Sequence, residues 1–417
     1  MSDPQQALAP RPLAPEVRDP WLGFLRTFTK IGINSFGGPV AQIGVMHEEA
    51  VERQKWLTGP EFVHVMNFAN LLPGPEALEI AIHLGWLRRG VAGGIAAGLL
   101  FVLPGFVSLT LLGWLYATLG HLPAVDGLLA GIRPVAGALL VWAAVRLGDK
   151  ALRAWPALVL AAAAFVAHGW LGVPFALLLL GCGALGLGIV RLQAATRPLP
   201  HRTLWVAALV AAALASGIAL QHSPTGKPLQ NPAAAVEFQA RQPAALGDIA
   251  WVNTKAALLT FGGAYTVLPY LREQMVQRHG WVTDGEVADA LALGETTPGP
   301  LISFGIFLSY LAAGLAGALV GGLCLFLPSF VLVLTLAPHI ARVESLSGTR
   351  GFLWGVSAGT IGLLLSLGAQ VVPDSVQGGF GLTLAAAALV ALWRFRLDPI
   401  VVVAVGAGLG LLRVGLG

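Results

Sequence analysis

The sequence predicts an all-α polytopic membrane protein of about thirteen transmembrane segments, built as two inverted-topology six-segment repeats with a connecting helix. Three observations lead there. Of 417 residues, 11% are charged and 56% hydrophobic, with a mean hydropathy of +0.75. A soluble chain carries roughly 25% charged residues, and this one has too few polar groups to cover a surface. The apolar runs are continuous rather than alternating, which argues against a membrane β-barrel. The chain also repeats itself: shifted by 225 residues, positions 36–75 match 261–300 at twelve of forty places without a gap.

At about 20 apolar residues per span, the first half offers segments at 21–46, 61–86, 91–119, 124–147, 155–169, 172–191 and 203–220. A polar stretch at 221–245 follows. The second half offers 246–271, 284–310, 312–340, 350–371, 378–393 and 398–414. The expected organisation is a disordered cytoplasmic tail (1–20), an N-terminal repeat (21–200), a connector helix and linker (201–245) and a C-terminal repeat (246–417). Residues 1–20 read as polar and Pro-rich, without the pattern of a cleavable signal peptide.

Basic residues cluster in alternate loops: Arg88-Arg89; Arg146, Lys150 and Arg153; Arg191, Arg197 and Arg202; Arg342 and Arg350; Arg394 and Arg396. Positive loops face the cytoplasm. The pattern therefore predicts a multi-pass membrane protein with a cytoplasmic N-terminus and its C-terminus outside. The same dispersal argues against nucleic acid as a partner, and leaves the lipid bilayer as the surroundings. Seven segments precede the second copy, so the copies are expected to cross in opposite directions. That places loop 47–60 outside and loop 272–285 in the cytoplasm. Inverted repeats are characteristic of secondary transporters, with a site at the repeat interface.

Pro73-Gly74-Pro75 and Pro298-Gly299-Pro300 fall near mid-membrane. Proline removes a backbone donor and disfavours helix before it, yet suits a first helical position. Each motif predicts a broken helix whose second half starts at Pro75 or Pro300, offering free N–H groups to an anion. The glycines of Phe36-Gly37-Gly38 and Phe261-Gly262-Gly263 permit unwinding or close helix approach. Lys30 and Lys255 lie at one offset before these glycines, and intramembrane lysines mark functional sites unless they snorkel to an interface. Arg133 offers a planar fork to an oxyanion, or a partner to Glu76 or Glu79. Asn34, Asn70, Thr296 and Thr297 are further candidate donors. Glu76, Glu79, His83 and Glu295 are candidates for coupling or gating, with ordinary stabilisation of the first helical turn the competing reading of Glu76.

Both copies carry E-x2-V-x-R-x2-W-x-T-x2-E, with Thr58 and Thr283 placed as N-caps three residues before Glu61 and Glu286. Trp56 and Trp281 read as interfacial anchors, and Glu48, Arg53, Glu273 and Arg278 as secondary gating candidates. Cys182 and Cys324 are too few and too scattered for a disulfide framework or a cysteine-bound metal. The sequence calls for no metal or cofactor, and it lacks the nucleophile-elbow, zinc-helix and nucleotide-loop motifs of enzymes and primary pumps.

The duplicated F-G-G, W-x-T-x2-E and P-G-P pattern resembles the chromate ion transporter family, specifically its long members with two homologous halves. The resemblance spans nearly the whole chain. It implies chromate efflux from the bacterial cytoplasm, conferring resistance and energised by membrane potential or a proton gradient. It places the family motifs on Phe36-Gly37-Gly38-Pro39, Pro73-Gly74-Pro75 and their second-half partners; Pro39 becomes Ala264, so the halves are not equivalent. From the residues alone the substrate is a small anion. Sulfate is a tetrahedral dianion like chromate, so a sulfate permease or a chromate/sulfate exchanger stays open, as does a homodimer.

Overall fold

A computed structural model describes residues 20–120, 122–191, 243–261, 263–339, 348–376 and 378–416. The expected connector helix at 203–220 and Gly262 lie outside these. The described residues form an all-α polytopic membrane protein without strands.

The first half runs α1 (Trp21–Asn34), α2 (Gly38–His47) with a π-helical turn (Glu48–Arg53), and α3 (Gly59–Ala69). It continues with α4 (Glu76–Leu119), α5 (Pro123–Ala151), α6 (Trp155–Gly169) and α7 (Phe175–Arg191). The second half repeats this. It starts with α8 (Leu246–Leu259), a 3-10 turn (Ala264–Val267), α9 (Leu268–Arg272) with its π-helical turn (Glu273–Arg278), and α10 (Asp284–Thr296). A 3-10 turn (Leu301–Ser303) leads to α11 (Phe304–Leu336), followed by α12 (Thr349–Ser375), α13 (Gly378–Trp393) and α14 (Pro399–Leu416).

Four expected spans are not spans. Segments 21–46, 61–86, 246–271 and 284–310 each break at a glycine or proline motif into pieces of 5 to 14 residues before the second break. Fourteen residues of helix rise only about 21 Å, short of a hydrocarbon core of about 30 Å. α4 is itself a hairpin: Arg89 and Gly90 leave helical geometry (φ −140° and 66°), as do Ala313 and Gly314 in α11 (φ −152° and 62°). Only glycine turns this corner without strain. Gly85 lies against Gly93 and Ala97, so arm 76–88 folds back along arm 91–119.

The loop at 47–60 therefore does not emerge opposite Arg88-Arg89. Arg88 lies over the Trp56 ring at 5.2 Å and Arg89 over Trp21 at 4.0 Å, while Trp56 stacks near Phe24 and Phe28. The start of α1, the loop and the α4 corner share one end of the bundle. In the second half Trp281 packs with Ala244, Ile249, Ala312 and Ala313 at the corresponding corner. The expected opposite placement of loops 47–60 and 272–285 relative to their own halves is corrected by the same cause. Each motif doubles the chain back at mid-depth instead of letting it cross.

The long arms of α4 and α11 pack antiparallel, with Gly94 beside Leu334, Gly98 beside Phe330 and Phe106 beside Gly322. Other contacts are reciprocal between halves. α5 packs on α13 and α14, and its counterpart α12 packs on α6 and α7. Gly131 rests on the Gly406 carbonyl, and Gly355, one repeat later, on that of Cys182. These close approaches use small residues where lipid supplies no hydrophobic drive to pack helices.

Candidate functional site

Where the four broken elements meet, the halves exchange backbone hydrogen bonds. The Gly74 N–H donates to the Thr260 carbonyl and the Gly299 N–H to the Ser35 carbonyl, both at 2.8 Å. Thr260 is Ser35 shifted by 225 residues, as Gly299 is Gly74. Each P-G-P motif is thus tied to the residue just before the F-G-G of the other half. The amide that the proline-broken helix frees is satisfied across the repeat interface. Gln42 adds its side-chain N–H to the Gly299 carbonyl at 2.6 Å.

The helix resumes at Glu76, one position after the expected Pro75; the Pro75 carbonyl accepts from the Leu78 and Glu79 N–H groups. In the second copy a 3-10 turn intervenes and α11 starts at Phe304. The Thr58–Glu61 and Thr283–Glu286 capping boxes both form, fixing the start of α3 and α10.

Beside this crossing lies a cavity of about 540 Å³. Its inner wall is Gly37, Gly38, Pro39, Asn70, Glu76, Phe261, Gly263, Tyr265 and Thr266, and Ser357 and Thr360 of α12 form one side. Trp142, Arg146 and Lys150 of α5 line it toward the end that carries Arg88. Arg146 lies over the Trp142 ring at 4.9 Å, held along the wall rather than in a loop. The cavity therefore brings together both F-G-G motifs, Asn70 and Glu76, with two cations along its approach.

Other expected site residues lie elsewhere. Lys30 is exposed and ion-paired to Glu49, which also takes Arg53 at 3.2 Å. Lys255 lies over the Trp251 ring at 4.3 Å. Arg133 is bound to Asp289 through its Nε (3.1 Å) and Nη2 (3.1 Å), and the Tyr116 hydroxyl donates to the same carboxylate at 2.9 Å. None of the three lines the cavity. Asn34 donates to the Lys30 carbonyl, and Thr296 and Thr297 donate to carbonyls of their own helix. His83 is buried between Phe68 and Trp86. Glu79 is buried behind Gly74 with Ser329 as donor at 3.4 Å. Pro73, Pro75, Pro298 and Pro300 flank the exchanged glycine amides.

Glu295, buried at 1% exposure, accepts from the Tyr265 hydroxyl. Arg146, Lys150 and Tyr265 were not singled out from sequence. The first two read as loop cations and the third has no motif, though Arg146 at four residues from Trp142 was a visible helical pair.

The comparisons with known proteins decide the family. The profile described as "Chromate transporter" matches residues 22–187 and 247–411. The chain belongs to the chromate transporter family. A chromate transport protein of Pseudomonas aeruginosa is 35% identical over 396 residues, 92% of this chain and 89% of that one. A chromate transport protein of Cupriavidus metallidurans is 30% identical over 349 residues, 81% of this chain and 79% of that one. A probable chromate transport protein of Synechococcus elongatus is 28% identical over 387 residues, 90% of this chain and 91% of that one. No solved structure matches the chain.

Proposed function

We propose that this chromate transporter family member exports chromate across the bacterial inner membrane and so confers resistance, working as a secondary transporter without enzymatic chemistry. The observation that carries the reading is the cavity: it ends on both F-G-G breaks at the repeat interface and has Arg146 and Lys150 along its approach. Family membership and relatives named for chromate transport support the substrate. The chain divides into repeats at 21–200 and 246–417, related as an inverted pair, with both re-entrant loops of each repeat contributing to the central site.

In this reading the Arg88 end faces the cytoplasm, which leaves the N-terminus inside and the C-terminus in the periplasm. The cavity then opens inward, where an export substrate enters. The far end is closed by Arg133–Asp289–Tyr116 and by Arg272, which grips Asp284 through two nitrogens and Gln370 through a third. The repeat partners of Arg133 and Gln370 are Ser357 and Arg146, both on the open cavity. Closure at one end and an opening at the equivalent positions of the other is the asymmetry alternating access requires. An inside-negative potential favours outward movement by about 2.3 kcal/mol per charge per 100 mV, so potential alone, or with a proton gradient, can drive a dianion out.

The test is labelled chromate uptake into everted membrane vesicles with sulfate as competitor. A hydrogen bond to a charged group is worth about 1.5–3 kcal/mol, so Arg146→Gln and Lys150→Gln should each raise KM about tenfold or more. Lys30→Gln with Lys255→Gln should leave KM within about threefold, since their partners are within the protein. The reverse ranking would move the anion site to the lysines. Sulfate that competes and is itself carried would make the protein a tetrahedral-oxyanion carrier.

A further inference from the structure

Immediately behind the cavity wall is an acid without an ion pair among the described residues. Glu295 ends α10 at the P-G-P break and is buried. One carboxylate oxygen accepts from Tyr265; the other, Oε2, is buried and has no hydrogen-bond partner among the described residues. Oε2 lies 3.9 Å from where a Cβ would stand on Gly38, and Gly38 and Tyr265 both line the cavity. The absence of a side chain at Gly38 keeps the acid within reach of whatever fills the space. The repeat partner of Glu295 is Asn70, which faces the same cavity as a neutral amide. The acid is therefore present once, not as a symmetric pair.

The charged and titratable groups around it are few. Tyr265 comes from the 3-10 turn 264–267, Arg146 from α5, and Asp398 from the segment before α14, acting on Glu295 through space. Glu76 and Lys150 face the same cavity from α4 and α5. Arg146 acts on Glu295 and also lines the anion's approach, so the carboxylate and an entering anion draw on one cation. An ionised Glu295 competes with the anion for Arg146 and repels it; a protonated Glu295 releases Arg146 and presents an O–H at the wall.

Resting on the transport reading above, we propose that Glu295 is a proton-binding site whose proton is carried together with the anion. Tyr265 connects it to cavity water: its hydroxyl passes a proton to Glu295 while taking one from the water it faces, so no net charge is left on the tyrosine. Binding linkage is reciprocal, so if the proton raises anion affinity tenfold, the anion raises proton affinity tenfold. Two ligands that favour each other at one site travel in the same direction. A dianion therefore leaves with one proton, as a single net negative charge. Membrane potential drives that species outward, and a proton gradient acid outside opposes it. Proton exchange against chromate, the usual arrangement for an exporter drawing on a proton gradient, is the opposite sense.

The experiment uses the full-length protein in liposomes of one orientation, with a clamped potential and a pH dye in the lumen. Chromate is added at the cytoplasmic face across the alkaline range, where it is a dianion. In the wild type KM should rise with pH across that range, by about tenfold in all for a tenfold coupling, and chromate entry should acidify the lumen. Glu295→Gln, a neutral stand-in for the protonated acid, should hold its low KM across the range and carry chromate without lumen acidification. Tyr265→Phe, made in case the first variant fails to assemble, should lower kcat while retaining a KM that rises with pH. Lumen alkalinisation by the wild type would overturn the proposal, as would the same KM profile in Glu295→Gln. Absence of chromate flux in the wild type would instead remove the transport reading itself.

Discussion

Gly74 and Gly299 hold the centre of the molecule through one atom each, the amide hydrogen given to the opposite half. Both have positive φ, 145° and 95°, a region where a side chain is strained by about 1–3 kcal/mol. Their surroundings differ. A Cβ on Gly74 would run into Glu79 and Ser329, whereas on Gly299 it would meet the Phe101 carbonyl at 3.3 Å. Gly74→Ala should therefore lower the unfolding temperature in detergent more than Gly299→Ala, with both below the wild type. Equal melting of all three would show that the exchanged amides bear no strain-sensitive geometry. Much of this scale was legible in sequence, because Pro-Gly-Pro dictates a break wherever it falls. The cations were less so. A lysine six residues before a glycine motif looks intramembrane on a linear map, but Lys30 finds Glu49 nineteen residues away once the chain doubles back. Arg146 was read as a loop cation because a basic residue at the end of an apolar run carries no mark of which wall it will face.

Between elements, the decisive contact is the one α5 makes with α10. Asp289 is fully buried, and its charge is met by Arg133 from α5 and the Tyr116 hydroxyl from α4. The two charges are separated by 156 residues, so sequence periodicity gave no sign of the pair, and Arg133 was left as a candidate ligand. Removing one partner strands the other in a place without water. Arg133→Met should destabilise the protein by about 3–5 kcal/mol, while Arg133→Met with Asp289→Leu should recover most of that loss. Chemical unfolding of the single and double variants in detergent measures the coupling. Additive losses would mean that the pair does not act as a unit. The double variant should also admit a membrane-impermeant thiol reagent from the far end to a cysteine placed at Ser357, which the intact closure should shield.

For the whole molecule, apolar length alone cannot separate a helix that crosses from two half-helices that return, since both read as about 25 residues of low polarity. That is why segments 155–169 and 378–393 were placed within their observed bounds, whereas 21–46 and 61–86 were read as spans. The error comes in pairs. Two re-entrant hairpins replace two of the expected spans in front of the second copy, so the expected count falls by an even number and the parity from which the inversion was inferred is unchanged. Only the loops move. Loop 47–60 shares its end with Arg88, and loop 272–285 shares its end with the Ala313 corner. The antiparallel arms of α4 and α11 put those corners at opposite ends. With Cys182 and Cys324 replaced by alanine, a cysteine at the exposed Lys55 should label only from the cytoplasmic face, and one at the exposed Gln277 only from the periplasmic face. Fully spanning first and eighth segments require the reverse for both sites. Labelling of both from one face would remove the inverted relation, and with it the physical ground for an inner opening matched to an outer closure.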